Sequence, residues 1–371
     1  MVQNEIDFFK FADLLLLSSH FLALLSLFSC FQPPFVVLRN LHPCTGHFLS
    51  CDSIVSSTMV AITVKSRSRS IKDFETDLVA KNNVSVLVDQ LSEKNKIKAN
   101  RLRITTLDDK GKHVPLNKET SFGANGISGK TATLYVKDLG PQLGWRTVYI
   151  LEYLGPLIFH PLWYLLAPKI WGDFHYTQTQ TFALILATLH FIKREYETIY
   201  VHHFSNDTMP AFNLFKNSSH YWFLSGTNIA LSIYHPKVQS KETWKRLLLH
   251  VNDHNPPMVY ALALIWLLAE SSNYVAHQTL SKLRLEPGAT KRYTIPFGFG
   301  FTWVSCPHYF VESVSWLAYA LLAGNWTTWV FWAVATGQMY LWAVQRHKKY
   351  LRTFGDEYKK LRRKIIVPGL I

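Results

Sequence analysis

The stretch 301–316 reads FTWVSCPHYFVESVSW and carries three side chains capable of proton chemistry: His308, Tyr309 and Glu312. In a helix, Tyr309, Glu312, Ser313 and Trp316 recur at i, i+3, i+4 and i+7 and so share one face. The segment around them is apolar, where polar groups are costly unless paired or used. Two readings stay open on these residues alone. The phenol and carboxylate serve a reaction, or Tyr309 is an interfacial aromatic with Glu312 at the edge of a span.

A second polar set, Lys193-Arg194-Glu195-Tyr196-Glu197-Thr198, follows an apolar run. Lys193 and Glu197 are spaced to pair on one helix face. The same spacing describes a self-neutralised helix end with a snorkelling lysine. Asn273 and His277 lie one turn apart, with Arg284 beyond them. Such residues either bond a neighbouring helix or line a polar ligand site. The tail 346–364, RHKKYLRTFGDEYKKLRRK, contains His347, Tyr350 and Arg362. It suits anionic headgroups, or phosphates gripped by guanidinium. No strand is followed by G-x-G-x-x-G, so a Rossmann nucleotide site is excluded. No C-x-x-C pair occurs, so neither a zinc site nor a disulfide framework is expected. Sequons stand at Asn83, Asn206, Asn217 and Asn325.

These residues need a scaffold, and the composition says which kind. Charged residues make up 17% of the 371-residue chain, below the roughly 25% of soluble domains. Aromatics reach 14%, as expected where rings anchor at a bilayer interface. The net charge is +14, which with this apolar content favours anionic lipid or a polyphosphate ligand over nucleic acid.

Three regions follow. Residues 1–58 hold an apolar run, 8–38, readable as an anchor or as an upstream extension before a fresh start at Met59. Residues 59–140 read as a small α+β domain. Residues 60–64 alternate as a strand, while Val84, Leu87, Val88 and Leu91 mark an amphipathic helix. Further strands are expected at 101–106 and 131–136. Residues 145–371 carry apolar segments near 148–167, 181–192, 221–234, 258–269, 297–311, 314–322 and 326–344. They predict a bundle of about six or seven spans, with the basic tail on the cytosolic side.

The motif S-C-P-H-Y-F-x-E-x-x-x-W at 305–316 resembles the S-C-P-N-Y-x-x-E-x-x-x-W signature of the steroid 5-alpha-reductase superfamily. Within it, the chain is similar to the very-long-chain trans-2-enoyl-CoA reductases of fatty-acid elongation. His308 stands where that family usually has Asn. Residues 192–198 resemble its I-K-R-x-x-E-T stretch, although His203 and Asn206 depart from the pattern that follows. Residues 131–140, TATLYVKDLG, resemble the end of its ubiquitin-like domain.

The resemblance implies an α-helical polytopic membrane bundle preceded by a ubiquitin-like domain. It implies NADPH-dependent reduction of a long-chain trans-2-enoyl-CoA at the endoplasmic reticulum, with the ubiquitin-like domain and C-terminus cytosolic, feeding sphingolipid synthesis. Tyr309 would be the acid and Lys193 its electrostatic partner, supported by Glu197 and Glu312. Asn273, His277, Arg284, His347, Tyr350 and Arg362 would contact the cofactor, and no metal is expected. Membrane lipids and other elongation-cycle enzymes would be partners. A steroid or polyprenol reductase, a methyltransferase of the isoprenylcysteine type and a non-enzymatic adaptor are the rival readings.

Overall fold

The computed structural model describes residues 59–127, 129–204, 208–237, 243, 249–283 and 294–370. The extension 1–58, Arg284 and the sequon at Asn206 lie outside the described residues.

The N-terminal part is a five-stranded sheet covered by one helix. Strands β1 (Met59–Ser66), β2 (Phe74–Val79), β3 (Leu102–Leu107), β4 (His113–Pro115) and β5 (Thr131–Asp138) stand in the order β2-β1-β5-β3-β4. β1 and β5 are parallel, and the other pairings are antiparallel. Alternation along β1 sends Val60, Ile62 and Val64 inward. They meet Val84, Leu87, Val88 and Leu91, the buried residues of α1 (Val84–Asn95). The two periods, 2 and 3.6, thus build one shared core.

β5 closes on an ion pair. Arg101 donates to both carboxylate oxygens of Asp138, at 3.0 and 2.6 Å, and Ser70 and the Gly140 N–H add further donors. The Arg101 fork holds the Asp138 carboxyl below its ordinary 3.8. A carboxyl depressed in the folded state stabilises above its unfolded value and loses that contribution as pH falls through the folded one. Thermal unfolding followed against pH should therefore show an acid-side loss, and Asp138→Asn should flatten it. An unchanged acid limb in that variant would remove Asp138 from the account.

Three residues after β5, strand β6 (Gln142–Gly144) pairs antiparallel with β7 (Thr208–Pro210). The helices begin at once: α2 (Trp145–Trp171) and α3 (Gln178–Tyr196). α3 continues as a π-helical turn, Glu197–Val201, and starts on a capping box of Thr177 and Gln180. After β7 come α4 (Phe212–Ser219), a π-helical stretch His220–Asn228 and α5 (Ile229–Ile233). α6 (Pro256–Lys282), α7 (Pro307–Ala323) and α8 (Trp326–Lys360, kinked at Gly355, whose φ is 52°) complete the bundle. α2 runs through Pro156 and Pro161, and α8 through Gly337, so these residues do not interrupt the helices. Neighbouring helices can re-satisfy backbone groups freed by proline.

Among the described residues, α2 and α6 are long and apolar enough to cross a membrane. Along their middles the exposed residues include Ile158, Leu162 and Leu165 on α2 and Leu264, Ile265 and Leu268 on α6, while the exposed Arg146, Lys169 and Lys282 stand near the helix ends. Lys193, Glu197 and Glu270 are buried instead. Apolar outside and ionic inside is the arrangement a lipid solvent selects, and the chain is membrane-associated.

The segments at 297–311 and 314–322 were expected as two spans, and the structure corrects this. Gly298 and Gly300 have φ of 103° and 68°, outside helical space, and Pro307 opens α7 as a single helix to Ala323. A proline suits that first helical position because its missing N–H would have no helical partner there.

One glycine fixes the packing of α2. A Cβ on Gly155 would stand 2.2 Å from Cδ1 of Trp222, whose indole N–H donates to the Leu151 carbonyl at 2.7 Å. The indole cannot retreat without losing that bond. Gly155→Ala is expected to cost about 1–3 kcal/mol through overpacking, read as a lower unfolding temperature in detergent. An unchanged midpoint would show that Trp222 can move away freely.

Candidate active site

A cavity of about 650 Å³ opens between α2, α3, α6, α7 and α8. Its walls follow from helix period. Tyr309, Glu312 and Trp316 come from α7, Asn273 and His277 from α6, His190 and Arg194 from α3, and Glu152 and Tyr153 from α2. An aromatic side is built by Trp145, Tyr149 and Phe204, stacked in sequence at 5.7 and 5.5 Å. Tyr309 lies against His308, with ring centres 4.2 Å apart, and 6.1 Å from Trp342.

Behind this wall lies a buried ionic network. Lys193 Nζ donates to Glu270 Oε2 at 2.7 Å and Asn273 Oδ1 at 2.5 Å, and stands 3.6 Å from Glu197. Asn273 in turn donates to the His308 carbonyl at 2.9 Å. Lys193 is therefore linked to the backbone beside Tyr309 through Asn273, and it is absent from the cavity lining. Arg194 donates to Glu197 at 2.7 Å and to the Tyr153 hydroxyl at 2.8 Å. His190 faces two carboxylates, Glu270 at 2.8 Å and Glu312 at 3.5 Å. A charge this deep is tolerable only when partnered, and these are.

Glu197, His202 and His277 bring one ligand atom each within 4.8 Å of one another. The Arg194 guanidinium already occupies the same carboxylate and reaches His277 Nδ1 at 3.3 Å. A metal cation there would be repelled by Arg194 and Lys193, so the geometry is that of an ion-pair cluster.

The tail residues form a separate centre. Ser305 Oγ meets His347 Nδ1 and the Tyr358 hydroxyl, each at 2.6 Å, and Tyr350 stacks on Tyr358 at 5.1 Å. The Lys364 backbone pairs with Trp303 and Ser305 and folds the tail back on the start of α7. Arg363 is buried and donates to the Pro296 carbonyl, while Arg362 is exposed with φ of 48°. His347, Tyr350 and Arg362 thus stand outside the cavity lining, whereas Asn273 and His277 are within it.

Comparison with known proteins bears on this site. The family model for 3-oxo-5-alpha-steroid 4-dehydrogenase matches residues 207–371. A Schizosaccharomyces pombe protein named as an enoyl reductase is 40% identical over 83% of this chain and 99% of its own length. The very-long-chain enoyl-CoA reductase of Dictyostelium discoideum is 37% identical over 84% of this chain and its full length. The chain belongs to the very-long-chain enoyl-CoA reductase family. A trans-2,3-enoyl-CoA reductase-like protein of Mus musculus matches at 30% identity over 64% of each chain. A solution structure of a ubiquitin-like domain aligns with 28% of this chain and all of its own, at 23% identity and a TM-score of 0.19.

Set against the family signature, His308 occupies the position of the usual Asn. Its ring is buried in the cavity wall with Nδ1 unpartnered. Three cavity or network residues escaped the motif reading: Glu152, His190 and Glu270. Each is a titratable group inside an otherwise apolar helical run, a signal by itself. Glu152 Oε1 is buried on the cavity wall without a hydrogen-bond partner. Two sequons are explained structurally. Asn325 is fully buried and caps α8, and Asn217 lines the cavity.

Proposed function

We propose that the protein reduces the trans-2 double bond of a long-chain enoyl-CoA with NADPH, inside the cavity of the helical bundle. The observation that carries this reading is a phenol, Tyr309, on the wall of a cavity inside the helical bundle whose other side is aromatic and apolar. The enzyme is an oxidoreductase by family, and the relatives named for enoyl-CoA set the substrate class.

The residues present fit a dinucleotide phosphate. Arg194 lies inside the cavity and Lys216 at its exposed rim, giving two cations for phosphate oxygens. Glu152 and His308 present unpartnered polar atoms to the same space. Asn273 and His277, together with Arg194 and Lys216, would hold the cofactor, and the bound nicotinamide supplies the hydride for C3. Tyr309 would donate a proton to C2, because a phenol of ordinary pKa near 10 is protonated at neutral pH. Lys193 acts at one remove. By holding Asn273, it fixes the His308 carbonyl and the first turn of α7, on which the phenol is mounted. The aromatic side, Trp145, Tyr149 and Phe204, would exclude water and take the acyl chain.

The sheet order β2-β1-β5-β3-β4, with its parallel central pair and one covering helix, supports a ubiquitin-like domain in residues 59–140. We place that domain and the basic tail on the cytosolic face of the endoplasmic reticulum, where the phosphorylated ligands arrive. The bundle would cross the membrane about six or seven times, in company with other elongation-cycle enzymes that feed sphingolipid synthesis.

The test is an assay in membranes holding the full chain, with NADPH oxidation followed on adding a long-chain trans-2-enoyl-CoA. NADPH should exceed NADH in kcat/KM by about tenfold or more, a difference of about 1.4 kcal/mol in transition-state stabilisation. Reduction of a steroid enone in place of the thioester would overturn the substrate class, and equal use of the two nucleotides would overturn the phosphate site.

A further inference from the structure

The motif residues leave His190 unused, yet it joins a carboxylate on the cavity wall to a carboxylate of the buried network. It lies on α3 against the indole of Trp316, with ring centres 4.7 Å apart. Its Nδ1 meets Glu270 Oε1 at 2.8 Å, and its Nε2 faces Glu312 Oε1 at 3.5 Å. Glu270 is fully enclosed, while Glu312 retains 15% of its side-chain exposure and lines the cavity. The chain therefore runs from the cavity, through an imidazole, to a carboxylate clamped by Lys193.

A carboxylate offers only lone pairs, and a neutral imidazole carries only one N–H. A neutral His190 between two ionised carboxylates would turn a lone pair on one of them. One more proton, on the second ring nitrogen or on a carboxyl, would turn the Glu312 approach into a hydrogen bond. The charged groups around it are Glu270 from α6, Glu312 from α7, and Lys193, Arg194 and Glu197 from α3 and its π-helical extension. His277 faces Glu197 and Arg194.

We propose that the Glu312–His190–Glu270 chain stores one exchangeable proton at the cavity wall, and that His190, acting through Glu312, replaces the proton each reduction consumes. This rests on the enoyl reductase reading. Each turnover places one proton on C2 and leaves Tyr309 as phenolate. An N–H bond of His190 breaks as an O–H bond forms on Glu312. That O–H bond breaks as one forms on the Tyr309 phenolate across the shared cavity, and a hydronium ion entering from bulk solvent re-forms the imidazole N–H and leaves water. Only a proton moves, and no electron passes along the chain. His190 is a positioning residue here, since it reaches the reacting atoms only through Glu312.

The experiment compares wild type, His190→Gln and His190→Lys in membranes, measuring kcat, both KM values and the solvent deuterium effect on kcat. His190→Gln keeps a polar side chain but cannot relay a proton. Its kcat should fall about tenfold or more, with both KM values within about twofold and a larger solvent isotope effect than wild type. His190→Lys restores a cation between the carboxylates, but its ordinary pKa of about 10.4 matches it poorly to proton relay at neutral pH, so it should stay slow. If His190→Gln fails to accumulate, Glu312→Gln cuts the same chain from the cavity end and should give the same signature. A wild-type rate and isotope effect in His190→Gln, or in Glu312→Gln where that variant stands in, would overturn the proton store. Recovery in His190→Lys would also overturn it, reducing His190 to charge balance. A wild-type protein that oxidises no NADPH with enoyl-CoA would overturn this proposal and the reductase reading together.

Discussion

Tyr309→Phe is expected to lower turnover of a long-chain enoyl-CoA by about 10²–10⁴ while leaving substrate KM nearly unchanged. The substitution removes one oxygen and keeps the ring. The contacts of that ring, on His308 and Trp342, are made by carbon faces and edges and should survive. No hydrogen bond essential to α7 is lost, because the helix is held by its own backbone and by Asn273 on the His308 carbonyl. The loss therefore falls on the proton delivered to C2. That separation makes the measurement decisive. Unchanged thermal unfolding with collapsed kcat supports a proton donor. A wild-type rate would make the S-C-P-H-Y stretch a packing motif and remove the acid from the mechanism.

The sequence made this residue legible for a physical reason. A phenol, an imidazole and a carboxylate within one helical turn of an apolar segment left a catalytic and an interfacial reading open, and the S-C-P-H-Y-F-x-E-x-x-x-W spelling pointed to the first. The helix period then put Tyr309, Glu312 and Trp316 on the cavity together. The same period found the buried face of α1, because Val84, Leu87, Val88 and Leu91 need only a local sheet to cover them. What stayed hidden depends on distant partners. Lys193 and Glu197 were spaced to pair, and they stand 3.6 Å apart, yet the shorter bonds of Lys193 go to Glu270 and Asn273, nearly eighty positions on. No local spacing announces such a contact. The partners of the tail were hidden in the same way. Its cations invited a phosphate role, but one of them, Arg363, is buried on the Pro296 carbonyl, and His347 is taken up by Ser305. The break between 297 and 307 was hidden by the apolar spelling of that stretch, which hydropathy reads as span while its glycine dihedrals forbid helix.

Lys193→Ala should then do something different from Tyr309→Phe, and the network says what. Truncating Lys193 leaves Glu270 with only the His190 ring as a hydrogen-bond partner among the described residues and strips Asn273 of the donor that orients it. Removing one member of a buried pair typically costs about 3–5 kcal/mol, because the remaining charge is buried without compensation. The expected result is a marked fall in unfolding temperature and in membrane yield, with activity lost alongside stability rather than at constant fold. Adding Glu270→Gln to Lys193→Ala removes the stranded charge, so the double variant should recover most of that stability. The two changes should be strongly non-additive, as residues in one ionic network are. Thermal unfolding of the four proteins in the cycle gives the coupling directly. If Lys193→Ala melts with the wild type, the buried pair contributes no net stability. Its loss of rate, measured at constant fold, would then return Lys193 to direct electrostatic action on the phenol. If it unfolds early and the double variant recovers, Lys193 serves the reaction by holding Asn273 and the start of α7 in place.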